Sequence, residues 1–176
     1  MTLTIRRGEP RDAAVIVEFN RRMALETEHK ALDPEVLARG VERVFTDHAK
    51  GFYLVAESGD QIVGQLMVTY EWSDWRDGWF WWMQSVYVRE DHRRHGVFRQ
   101  LYQAMIDYAR AAGNVVGIRL YVERDNTRAQ ATYAQLGMID PGYLVREVLI
   151  ECAVRPEGAG QDSPGQRLGG RVTPGG

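Results

Sequence analysis

The sequence predicts an α/β (α+β) domain with a mixed, mostly antiparallel central sheet flanked by helices. Three observations carry this reading. Alternating apolar runs separated by turn residues fill the middle of the chain, capped segments of helical periodicity lie on both sides of them, and a strand, helix, strand step from Trp79 to Val122 is long enough for a parallel crossover.

In chain order, Leu3 to Arg7 alternates like a short strand. The segment Gly8 to Glu28 places Pro10 where a first helical turn tolerates it, and Ala13, Ile16, Val17 and Met23 form a helical stripe. A second helix follows at Leu32 to Phe45, with Asp33 as N-cap, Pro34 next, and Leu37, Val41 and Val44 on one side. Gly51 to Glu57 and Gln61 to Trp72 flank a Ser-Gly-Asp turn and read as antiparallel neighbours. After the turn residues Asp77 and Gly78, a third strand of this set runs from Trp79 to Val88. Val97, Leu101, Met105 and Tyr108 place a helix from about His95 to Ala112, stopped at Gly113-Asn114. Val115 to Val122 is a strand, Asn126 to Gly137 a helix between cap and stop signals, and Gly142 to Glu151 a last strand.

With 176 residues and 44% hydrophobic content, the chain suits one domain, residues 1–153, followed by a Gly- and Pro-rich stretch, 154–176, that is expected to be disordered. The net charge of -2 gives no reason to expect nucleic acid or an anionic membrane as partner. One cysteine, Cys152, excludes an internal disulfide and fits a reducing compartment. No signal-peptide core or bilayer-length apolar run stands out, so a cytoplasmic protein is expected.

The chemistry starts at Arg93, Arg94, His95 and Gly96, where a strand hands over to a helix. A helix N-terminus leaves backbone N–H groups unpaired and carries positive partial charge. A glycine there, flanked by arginines, makes an anion site suited to phosphate or pyrophosphate. Alone the pattern is equally compatible with a solvated basic surface. A second stretch, Asn126 to Met138, sets Asn126, Ala129, Tyr133 and Gly137 at fixed intervals, one helix and one strand further on.

Together these stretches resemble the GCN5-related N-acetyltransferase superfamily, over about Leu3 to Glu151. The resemblance implies the acyl-CoA N-acyltransferase fold and acetyl-CoA as cosubstrate. The family's first motif, Arg or Gln, two residues, Gly, one residue, Gly or Ala, matches at Arg93 and Gly96 and departs at Phe98. By resemblance, the amides of Arg94, His95, Gly96, Val97 and Phe98 would cradle the pyrophosphate, and Val86, Tyr87 and Val88 would hydrogen-bond the acetyl carbonyl and pantetheine arm. The Phe98 ring would have to turn away, into the core or toward the adenine side. Asn126 would contact the pantetheine or cap its helix, Ala129 would keep that helix close, and Tyr133 would protonate the departing thiolate, its alternative being a packed aromatic.

The expected reaction is direct acetyl transfer to a primary amine, most readily of a small molecule; a protein lysine or N-terminus and a non-catalytic acyl-CoA-binding module are the alternatives. A carboxylate or an ordered water chain would take the proton, and Glu71 would either receive it or hold a cationic amine. Glu26, Glu28 and Asp33 border the acceptor side in the family, with Glu28 a substrate-binding candidate; exposed helix charges are the bland alternative. All five tryptophans lie between Trp72 and Trp82. Trp79, Trp81 and Met83 alternate with Phe80, Trp82 and Gln84, so one set fills the core. Trp72 or Trp75 is then left for an aromatic acceptor pocket or a homodimer contact. Gln84 would reach the acceptor or serve as a hydrogen-bonded sheet residue. His92 and His95 have no further ligands clustered with them in sequence, so no metal is expected.

Overall fold

The structure, a computed structural model, describes residues 2–150. They belong to two compact units, Met1–Ile139 and Asp140–Gly176.

The first unit holds a five-stranded sheet in the order β1 (Leu3–Arg7), β2 (Phe52–Ser58), β3 (Gln61–Ser73), β4 (Gly78–Val88), β5 (Val115–Leu120). The first four are antiparallel neighbours, and β4 pairs with β5 in parallel through α3 (Val97–Ala112), as the long crossover requires. Helices α1 (Ala13–Glu28) and α2 (Pro34–Thr46) precede β2, and α4 (Thr127–Gln135) follows β5.

Two faces of the sheet are buried for two different reasons in the sequence. On one, Val97, Leu101 and Met105 of α3 pack over Leu54, Leu66, Val68, Trp81 and Met83. Gly64 permits this approach: a Cβ there would meet Val97 Cγ1 at 3.0 Å. On the other face, Ile16 of α1 and Val41 and Val44 of α2 cover Tyr53 and Val55. The alternating set Trp79, Trp81, Met83 is the one that packs toward α3, and the rings of Trp81 and Phe52 meet edge-on at 5.2 Å.

The caps explain where helices begin. Asp33 Oδ1 accepts from the N–H groups of Glu35 and Val36 ahead of α2, and Asn126 Oδ1 accepts from Ala129 N–H ahead of α4. The N-cap of α3 is Gly96, which has no side chain to offer.

Among the described residues of the expected last strand, Gly142 to Glu151, no strand is formed. In the second unit, Tyr143 to Ile150 carry no regular secondary structure and are exposed, and Glu151 lies outside the described residues. Alternation supplies a strand's propensity, but a strand exists only through ladder hydrogen bonds to a partner. The expected disordered stretch 154–176 and Cys152 also lie outside the described residues.

Candidate active site

After β4 the chain makes a 3-10 turn, Glu90–His92, and then a tight turn into α3. Arg94 (φ +66°) and Gly96 (φ +77°) are both left-handed, with His95 between them. This alternation curves the backbone so that successive N–H groups converge. The N–H groups from Arg94 to Arg99 take no acceptor among the described residues, whereas the first in-register bond of the turn runs from Gln100 N–H to Gly96 O. A Cβ at Gly96 would meet nothing of the protein within 4 Å, so the space above the turn is open. The residues present therefore fit an anion cradle.

Arg93, the first motif residue, is turned away from those amides. Its Nε donates to Val88 O at 2.9 Å and its Nη2 to Glu26 Oε2 at 2.6 Å, while Glu26 Oε1 accepts from the Tyr87 hydroxyl at 3.0 Å. Burial would raise the Glu26 carboxyl, but the hydrogen bonds from Arg93 and Tyr87 outweigh it and hold it below the usual carboxylate value. Glu28, the acidic candidate two residues on, is exposed at the end of α1.

The second component is a gap in the sheet. The last β4–β5 pair is Met83 with Leu120, yet β4 continues to Val88 beside β3. From Gln84 to Val88 one edge of β4 thus has no β5 residue opposite it. A β-bulge sits at the start of this stretch: Met67 faces Gln84 but Gln65 faces Tyr87, and Ser85 is left-handed at φ +47°. The bulge sends Tyr87 toward α1, 4.9 Å from the Phe19 ring, and leaves Val86 and Val88 packed against the α3-side core.

On the α3 side, Phe98 turns its ring toward the core and meets Tyr133 edge-on with centroids 6.1 Å apart. Burial raises the Tyr133 phenol above its ordinary value. Its hydroxyl takes no hydrogen bond among the described residues. Asn126 acts as the helix cap, the second of its two expected roles.

On the opposite face, Glu71 is committed at both oxygens, to Trp82 Nε1 at 2.5 Å and to Arg119 Nη1 at 2.6 Å. Arg119 in turn lies 3.6 Å above the Phe80 ring, and Trp82 stacks on Tyr121 at 4.4 Å. Gln84 Nε2 donates to Thr69 Oγ1 at 2.5 Å, so it is a hydrogen-bonded sheet residue. Trp72 does not share the face of Glu71. It packs edge-on against Trp79 at 5.0 Å, because adjacent strand residues point to opposite sides. Trp75 is 88% exposed in the hairpin turn.

Sequence reasoning did not single out Arg119, Asn20 or Gln65, and it grouped Glu26 with the acceptor rather than with Arg93. Only Gln65 left a trace, as an amide inside an apolar run. A cavity of about 840 Å³ lies elsewhere, between α1 and the edge of β1 to β3, and its Arg6 is already paired with Asp12 and Glu57. Among the described residues no helix is long and apolar enough to cross a membrane, and no three His, Cys, Asp or Glu side chains converge as a metal site.

Several solved structures resemble this chain. A crystal structure of a "possible acetyltransferase" from Clostridium difficile 630 is 42% identical, with 86% of this chain and 100% of that chain covered and a TM-score of 0.81. Two more distant structures share the fold. A predicted acetyltransferase with acetyl-CoA from Clostridium acetobutylicum is 14% identical, with 84% of this chain and 96% of that one covered and a TM-score of 0.69. An aminoglycoside acetyltransferase from an uncultured soil metagenomic sample is 16% identical, with 85% and 100% covered and a TM-score of 0.66. No curated protein matches. The acetyltransferase (GNAT) family profile matches residues 16–138, most of the described chain, and the chain belongs to that family.

Proposed function

We propose that this protein moves an acetyl group from acetyl-CoA directly to a primary amine of a small molecule. The observation that supports the reading is the turn into α3, where the N–H groups from Arg94 to Arg99 take no acceptor among the described residues and a Cβ at Gly96 would meet no protein atom within 4 Å. The amides of Arg94 to Phe98 would hold the pyrophosphate, and the β4 edge from Val86 to Val88, which has no β5 residue opposite it and whose Val88 O already accepts from Arg93 Nε, would pair with the pantetheine arm. Bound there, acetyl-CoA supplies an activated thioester carbonyl.

The chain's own groups then divide the work. The acetyl oxygen needs a donor, a part that a backbone N–H on the β4 edge beyond Met83 would play. The Tyr133 hydroxyl stays protonated at neutral pH, since burial raises its pKa. An ordinary phenol already lies about 1.5 units above an alkyl thiol, so Tyr133 serves the leaving sulfur chiefly as a hydrogen-bond donor. The acceptor must shed a proton to attack. Glu71 can take it only by exchanging its contact with Arg119 or Trp82, and water is the other route.

That commitment of Glu71 is also the observation favouring a second reading, a module that binds acyl-CoA without turning it over. One experiment separates the two: purified protein is incubated with acetyl-CoA and a panel of polyamines, amino acids and aminoglycosides, and free thiol is measured. Amine-dependent thiol release supports the transferase. Tight CoA binding by calorimetry with no release for any amine, including lysine peptides, favours the binding module.

A further inference from the structure

We infer that Gln65 is a positioning residue for the acyl site and that it acts through the peptide of Ser85. The inference rests on the acetyl-transfer reading above. Gln65 is fully buried in the middle of β3, between Val63 and Leu66, where an amide is unfavourable unless it is hydrogen-bonded. One of its amide atoms lies 3.3 Å from the Ser85 carbonyl oxygen, which can only accept, so that atom is Nε2. The same Nε2 donates to Asn20 Oδ1 at 2.6 Å. Asn20 is buried on α1. Gln65 Oε1, although buried, takes no hydrogen bond among the described residues. The amide is thus oriented for Ser85 and Asn20 while its own acceptor goes unmatched, a cost that a purely space-filling residue would not carry.

Three features coincide at the carbonyl it holds. Ser85 is left-handed, a conformation unfavourable for serine and free for glycine. It forms the bulge in the β3–β4 ladder. It also lies just beyond Met83, the last β4 residue paired with β5. The direction of the backbone from Val86 to Val88 is set at this peptide, and those residues line the gap that the thioester would enter. Strain concentrated at one peptide and supported by a buried amide network is expected where backbone geometry serves a ligand.

The test uses acetyl-CoA labelled with 13C at the acetyl carbonyl. Its bound resonance, together with calorimetric affinities for CoA and acetyl-CoA, is compared in the wild type, Gln65→Leu and Gln65→Met, each with and without Ser85→Gly. Glycine holds the left-handed bulge without help, so it should bypass the glutamine. The expected result is a carbonyl resonance displaced in the wild type, returned toward the free value in both Gln65 variants with CoA affinity within about threefold, and displaced again when Ser85→Gly is added. A wild-type resonance in the Gln65 variants, or no recovery with Ser85→Gly, overturns the assignment. Loss of folding in both variants on both backgrounds also overturns it, since Gln65 would then be a core-stability residue. A wild type that binds CoA but leaves the carbonyl undisplaced does so as well. If the wild type binds neither CoA nor acetyl-CoA, the acetyl-transfer reading itself falls.

Discussion

Glu26 near the end of α1 holds Arg93 at 2.6 Å, so the residue that opens the turn into α3 is tied to a neighbouring helix rather than to the turn's amides. Both side chains are partly exposed, so the pair adds under about 1 kcal/mol to stability. Glu26→Gln frees the guanidinium and removes a carboxylate near the phosphate site. CoA affinity should then rise about two- to fivefold, with a steeper dependence on salt, in calorimetric titrations at several ionic strengths.

Gly96 has the opposite sensitivity. At φ +77° any side chain is strained, yet its Cβ would clash with no protein atom. Gly96→Ala should keep measurable CoA binding, whereas Gly96→Asp puts a negative charge at the α3 N-terminus and should weaken binding about 100-fold or more. Equal affinities for the two variants would show that the cradle lies elsewhere.

Tyr133 packs edge-on against Phe98, so removing only its hydroxyl keeps the ring contact. Tyr133→Phe should lower turnover about 10- to 100-fold while leaving the Kd for CoA within about twofold. Steady-state kinetics alongside titration reads both, and unchanged turnover would strip the hydroxyl of its assigned part.

If Glu71 holds Trp82 and Arg119 in place more than it takes a proton, Glu71→Gln, which preserves the acceptor oxygen for one partner, should cost less than about tenfold in kcat. The acid limb of the kcat/KM profile against pH should persist. Disappearance of that limb would make Glu71 the base.

Acid stability turns on Asp12, which is buried beside Arg6 at 2.7 Å. Burial would raise its carboxyl, but hydrogen bonds from the Arg6 guanidinium and the Glu9 N–H outweigh this and hold it below the ordinary carboxylate value. A carboxyl depressed in the folded state contributes stability above its unfolded pKa, near ~3.9, and that contribution disappears as the pH falls through the folded value. Urea midpoints should therefore drop below about pH 4, and Asp12→Asn should lower stability by about 2 kcal/mol at pH 7 and flatten the acid limb.

The sequence by itself determined the elements of the sheet and helices that its periodicities and caps encode. Asp33, Asn126 and Gly113 mark helix ends because capping is local chemistry, and the alternation of Trp79, Trp81 and Met83 fixed which side chains share a face. Gly96 marks the start of α3 for the same reason. Local pattern could not say whether the alternating run from Gly142 would become a strand, and Tyr143 to Ile150 carry no regular secondary structure. Nor could it show that Arg93 would reach Glu26, that Arg119 would engage Glu71, or that the Gln65 amide would hold Ser85. Those contacts join residues far apart in the chain, and they depend on the bulge in β4 and the departure of β5 after Leu120, which only the packing of helices on both faces of one sheet decides.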